Sequence, residues 1–156
     1  MAKFSMAFAL AAVAACFTLS LQAADEKEEG FKPKCPVSGR PAIESEAVAY
    51  KGGKVYFCCP NCPGAFEKDT AKFAAKANHQ LVGTKQAVEK KCPLAGRPLN
   101  PDTAIDVQGV KVAFCCNNCK GKATAAQGDE QITLIFNDAA FEKGFEVKKE
   151  DKEAAK

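Results

Sequence analysis

The sequence predicts an α+β chain built from two tandem small modules, each a β-hairpin followed by a helix, and three observations carry that expectation. Residues 35–62 align with 92–119 without a gap and are identical at 14 of 28 positions, which marks an internal repeat that has kept its spacing as well as its composition. Each copy sets short apolar runs on either side of a glycine, the pattern of a hairpin. Each copy then ends in Cys-Cys-x-x-Cys. Helix-forming composition follows in the first, and an alanine-rich turn with a later helix in the second.

Residues 1–23 read as a secretory signal peptide, with Lys3 in a short basic region, an apolar run from Phe4 to Leu21, and small residues Ala23 and Ala24 for cleavage. The alternatives are a retained anchor and, through Cys16 after Val13-Ala14-Ala15, a lipoprotein-type attachment. Loss of the leader removes Cys16 and leaves eight of nine cysteines, four per repeat. No later segment is long and apolar enough to cross a bilayer, so no stable membrane span is expected after cleavage. Export to a periplasmic or extracellular setting exposes thiols to oxidising conditions, where paired cysteines commonly become disulfides. The 22 basic and 19 acidic side chains give a net charge of +3 without a long block of one sign, a balance that does not suggest nucleic acid.

Residues 24–34 form a charged lead-in containing Gly30 and Pro33, expected to be exposed. The first module then spans residues 35–86 and opens on Cys-Pro-Val-Ser-Gly-Arg-Pro, whose Pro and Gly specify a tight turn around Cys35. Ala47–Tyr50 and Lys54–Phe57 flank Gly52-Gly53 as a hairpin that delivers Cys58 at the end of its second strand. Residues 63–68 and 70–76 have helical composition, with Asp69 or Thr70 as N-cap and Phe66 and Phe73 facing the hairpin.

The second module, residues 87–147, repeats the turn at Cys92 and the hairpin at Ile105–Val107 and Lys111–Phe114. Because Val110 replaces Gly53, its turn need not share the first one's backbone type. Ile132–Phe136 reads equally as a strand or a buried helical turn, and a helix is expected from Asp138 with Asn137 as its cap. Residues 148–156 form a polar tail.

Two sets of four thiols at a constant offset of 57 residues, Cys35, Cys58, Cys59 and Cys62, then Cys92, Cys115, Cys116 and Cys119, predict two equivalent sites. A turn, a strand end and a helix start bring sequence-distant sulfurs to one point, a donor set suited to zinc or to another thiophilic ion such as copper. Adjacent side chains on a strand point to opposite faces, so both members of Cys58-Cys59 reach one ion only if the chain turns between them. Three alternatives stay open: three ligands with a spare thiol, a disulfide-stabilised interaction module, and thiol–disulfide exchange at the C-x-x-C pairs. His79, the single histidine, has Phe136 as its counterpart at the 57-residue offset and is expected at a helix end, exposed or favouring the C-terminal dipole, and not to ligate. Arg40 and Arg97, with Lys32, Lys34, Lys54, Lys90, Lys91 and Lys111, can partly offset thiolate charge but are expected mainly as solvated or structural groups. No paired acids, serine triad or phosphate loop points to an enzyme.

Cys35, 22 residues, Cys58, three residues, Cys62, repeated from Cys92, resembles the TRASH-type heavy-metal-binding pattern. The Tyr50–Cys58 segment and Phe66 also resemble the YHS domain. The early thiol stands three positions before the one YHS sequences carry, and Cys59 takes the place of their Ser. The resemblance implies a treble-clef-like fold, metal binding and possible heavy-metal handling, with no established catalytic reaction.

Overall fold

The computed structural model describes residues 31–148; the expected leader, Cys16, most of the lead-in and residues 149–156 lie outside the described residues. Strands β1 (Ile43–Tyr50) and β2 (Gly53–Phe57) pair antiparallel, as do β4 (Asn100–Val107) and β5 (Val110–Phe114). In both pairs the register slips once, between Ile43 and Ala47 and again between Asn100 and Ile105, so even the irregularity repeats. The turns have one backbone type after all: Lys51-Gly52 takes φ of 50° and 88°, and Gln108-Gly109 takes 50° and 85°. Two consecutive positive φ values are the twist-matched solution for a two-residue hairpin. Gly53 and Val110 begin the next strand, which is why exchanging them leaves the turn alone.

Helices α1 (Asn61–Lys68) and α2 (Thr70–Gly83) follow the first hairpin, and α3 (Asn117–Ala125), α4 (Gly128–Phe136) and α5 (Asp138–Gly144) follow the second. The segment left open between strand and helix, Ile132–Phe136, belongs to α4, with Ile132, Ile135 and Phe136 buried. Asp69 caps α2 by accepting from Lys72 N–H, and Asn137 caps α5 by accepting from Ala140 N–H. Asn137 is also the reason the second half has two helices where the first has one. Its carboxamide donates to Thr133 O at 2.9 Å and accepts from Ala140 at 3.0 Å, an alternative to continued helical bonding. At the matching place Gln80 stays helical, and its longer side chain reaches β2 instead, taking Tyr56 N–H at 2.6 Å and donating to Tyr56 O at 3.0 Å.

A pairing absent from the sequence reading closes the second half: β3 (Ala87–Glu89) lies antiparallel to β6 (Phe145–Val147). Three-residue strands carry too little periodicity to announce themselves.

The two halves share one hydrophobic core. Val55, Phe57, Val112 and Phe114 are fully buried at matching places on β2 and β5, and Leu81, Ile135 and Phe136 join them from the helices. Each buried Phe contributes roughly 1.5–3 kcal/mol. Phe66 packs on Phe57 and Tyr50, each at 5.4 Å between ring centroids, as expected of a residue facing the hairpin.

Helix α2 packs on α4. There His79 is 8 % exposed, in edge contact with Phe136 at 5.0 Å, and its Nε2 meets Val107 O at 2.9 Å. The expectation of an exposed imidazole at a helix end is thus corrected: the apolar interface between the halves encloses it. The lead-in is corrected too, since Phe31 lies 5.4 Å from the His79 ring. Phe31 also rests on Gly83, where a Cβ would come within 2.5 Å of its ring. Across the same interface Asp138 binds Lys51 Nζ at 2.8 Å and Asn78 Nδ2 at 3.0 Å.

Glu89 answers Gln80 in the second half, accepting from Ala113 N–H at 2.9 Å at the position matching Tyr56. Burial raises its carboxyl from 4.5 to about 7, against the opposing effect of that bond, and its Oε1 has no partner. A raised acid favours the folded state while it holds its proton. That stability is present below pH 4.5 and is lost as pH rises through about 7. Glu89→Gln removes the ionisation, so its unfolding free energy relative to the parent should improve by about 2 kcal/mol between pH 5 and pH 8. Denaturant melts at the two pH values check this, and an unchanged difference between the two chains refutes it.

Candidate metal centre

Each first thiol is set by a turn closed on itself. Cys35 N–H donates to Arg40 O at 2.7 Å and Gly39 N–H to Cys35 O at 2.8 Å; the second copy has Cys92 to Arg97 O at 2.9 Å and Gly96 to Cys92 O at 2.7 Å. Gly39 and Gly96 adopt φ of 74° and 67°, a conformation that costs a side-chain-bearing residue energy and glycine almost none. Cys58 and Cys115 follow the last residues of β2 and β5, and Cys62 and Cys119 occupy the first turns of α1 and α3.

The sulfurs converge in two places. Cys35, Cys58 and Cys62 lie mutually within 4.8 Å, and so do Cys92, Cys115 and Cys119. Cys58 and Cys62 are 3.7 Å apart, and Cys115 and Cys119 3.8 Å. The second member of each vicinal pair stands outside its mutually close trio but touches it: Cys59 is 3.3 Å from Cys62, and Cys116 is 3.8 Å from Cys115. The chain therefore does turn between the paired cysteines. All eight are free thiols, the first and last of each set buried and the vicinal pairs half-buried. His79 belongs to neither group.

The surroundings divide the thiols by readiness to ionise. A hydrogen bond with Ser38 lowers Cys58, helped by Cys62 and Arg40, and bonds from Cys62 and the Asn61 backbone lower Cys59. The Cys119 backbone and the Cys115 side chain bring Cys116 down to about 7. Burial pushes Cys92 up, but backbone bonds from Cys115, Ala95 and Leu94 outweigh it. Burial raises Cys62, and raises Cys119 to about 12, with neighbouring thiols adding to the effect. Each cluster thus pairs more easily ionised sulfurs with a buried one that holds its proton more tightly.

Arg40 Nη2 lies 3.4 Å from Cys58 Sγ and Arg97 Nη2 3.7 Å from Cys116 Sγ. These arginines touch sulfur instead of being merely solvated. Ser38, which sequence reasoning did not single out, meets Cys58 Sγ at 3.1 Å. Its place three residues after Cys35, within the thiol-bearing turn, was the available signal; Ala95 stands there in the second copy.

No family model, curated protein or solved structure matches this chain. The chain has two similar α+β halves, each a short hairpin followed by helices, and in each a three-cysteine cluster placed where it could chelate a metal.

In the reduced, metal-free chain at pH 7, iodoacetamide should alkylate Cys116 at least tenfold faster than Cys119, because the thiolate is the nucleophile. Peptide-mapped mass spectrometry over a time course reads both rates. Equal rates contradict the assigned environments.

Proposed function

We propose that each cluster holds one thiophilic ion, zinc in the first place and copper as the second choice, and that the chain serves in binding or handling heavy metals. The observation that carries this reading is the spacing of the sulfurs. Four thiolates about a zinc ion at about 2.3 Å have tetrahedral edges of about 3.8 Å, and the closest sulfur pairs here lie at 3.3, 3.7, 3.8 and 3.8 Å. Cys35, Cys58 and Cys62 would hold the first ion and Cys92, Cys115 and Cys119 the second, with Cys59 and Cys116 as fourth ligands. A closed four-sulfur site supplies structural stability, whereas a three-sulfur site leaves a position through which an ion can be passed on. Soft sulfur donors also suit Cu(I).

Membership of the YHS or TRASH group, a treble-clef-like topology, export to the periplasm or beyond, and the lack of catalytic activity complete the proposal. They are supported by the duplicated spacing, the hairpin-to-helix placement of the thiols and the apolar run of residues 4–21. One contact favours a second reading: Cys59 and Cys62 approach to 3.3 Å, so an oxidising compartment could convert the C-x-x-C pairs to disulfides and leave a stapled interaction module or a thiol–disulfide exchange protein.

Native mass spectrometry before and after chelation separates these readings. Two bound ions that chelation removes, with all thiols then open to alkylation, is the expected result; blocked thiols and no metal mass support the disulfide reading. Cys35→Ser and Cys92→Ser should each lower the stoichiometry by one ion. Cys59→Ser and Cys116→Ser should keep the stoichiometry and weaken zinc affinity at least tenfold, measured by competition with a chromophoric chelator. Unchanged affinity removes both residues from the ligand set.

A further inference from the structure

A cavity of about 270 Å³ opens between the two halves beside the first sulfur cluster, with Cys35 in its wall. Phe31 and Ile132 give it an apolar wall, while Lys32, Lys34 and Lys76 bring three ammonium groups against a single carboxylate, Asp129. Asp129 is already engaged by Lys76 at 2.8 Å. Lys32 and Lys34 have no carboxylate partner among the described residues. Among the described residues the cavity lining therefore carries a net charge of +2 beside low-dielectric walls, where an anion is attracted more strongly than at an open surface.

His79 adds a neutral polar edge to the same wall. Its Nε2 faces the Val107 carbonyl, which only accepts, so Nε2 carries the hydrogen; burial lowers the ring's pKa and keeps it neutral. Nδ1 is then an acceptor on a side chain that lines the cavity, and since a carboxylate only accepts, the ammonium groups and not the ring are what an anion would meet.

The feature is not a by-product of the repeat. At the 57-residue offset Glu89, Thr133 and Phe136 stand where the cavity has Lys32, Lys76 and His79, and only Lys34 keeps its type, as Lys91, so the second half has neither the net positive charge nor the ring nitrogen.

We propose that this cavity binds a small organic carboxylate with an apolar body. The carboxylate would meet Lys32 and Lys34, and the body would lie against Phe31 and Ile132. The volume corresponds to roughly nine water molecules, which suits an anion of about that many heavy atoms. Phosphate is disfavoured because no arginine lines the cavity among the described residues to offer a bidentate fork. The lysines that would meet the anion are not among the proposed metal ligands.

The test uses the full chain and benzoate as probe, with benzamide and inorganic phosphate as comparisons, followed by heteronuclear NMR and calorimetry. Benzoate should give saturable shifts centred on His79, Lys76 and Gln108, bind at least tenfold tighter than either comparison, and weaken as salt is raised. The Lys32→Glu/Lys34→Glu double variant changes two exposed side chains and should lose at least tenfold in benzoate affinity with unchanged thermal unfolding. In the unaltered chain the salt titration gives an independent measure. Benzamide or phosphate binding as tightly as benzoate, a flat salt response, full affinity in the folded double variant, or no saturable shift overturns the proposal.

Discussion

Both sulfur clusters depend on the closed turn that carries the first thiol. A cysteine in a flexible loop pays ordering entropy each time it meets a partner, whereas Cys35 and Cys92 are tied by their own N–H groups to the carbonyls of Arg40 and Arg97. The left-handed glycine in each turn allows that closure, and the arginine that closes it also sends its guanidinium to a vicinal-pair sulfur. One short segment thus fixes a thiol's backbone and places a positive charge beside the thiols that ionise most readily. The remaining sulfurs follow from a strand that ends and a helix that begins.

The fold supports this arrangement from behind. Val55 and Phe57, and Val112 and Phe114, alternate with exposed or half-buried residues along β2 and β5, so burying one face of each strand fixes which residue emerges at its end. Edge positions left open by two-stranded sheets are closed by side chains: Gln80 at Tyr56 in one half and Glu89 at Ala113 in the other. These are chemically different solutions to the same unpaired N–H. The carboxylate accepts that hydrogen bond at the cost of an ionisable group in partial burial.

What the sequence made legible follows from what repeats. Hairpins, thiol-bearing turns and the caps at Asp69 and Asn137 depend on contacts within a few residues, and their signals lie in Gly, Pro and Asx positions that can be read singly. The meeting of the two halves could not be read this way. His79 and Phe31 look exposed in their local segments, since one lies near a helix end and the other in a charged lead-in; only the folded chain shows His79 buried against Phe136 and Phe31 half-buried on His79. The β3–β6 pairing joins segments too short for periodicity and separated by nearly the whole second half. Ser38 was missed for another reason: a hydroxyl in a turn reads as turn chemistry until the Cys58 sulfur is seen 3.1 Å away.

Identity and divergence are distributed along the repeat in a way packing explains. Cysteines, turn glycines and arginines, and the buried Phe57 and Phe114 are kept, because each half must build its own cluster. Where α2 packs on α4, His79 meets Phe136, its own counterpart in the repeat. In a symmetric pair that contact would set like against like, as in any two-fold interface. Two buried imidazoles there would each need a polar partner, whereas two phenylalanines would leave the Val107 carbonyl without the donor it now has. Joining the halves in one chain frees the two positions to differ, so that an imidazole satisfies the carbonyl and a ring fills the space beside it. The same freedom permits the first half to bring Lys32 and Lys76 to the cavity between the halves where the second has Glu89 and Thr133.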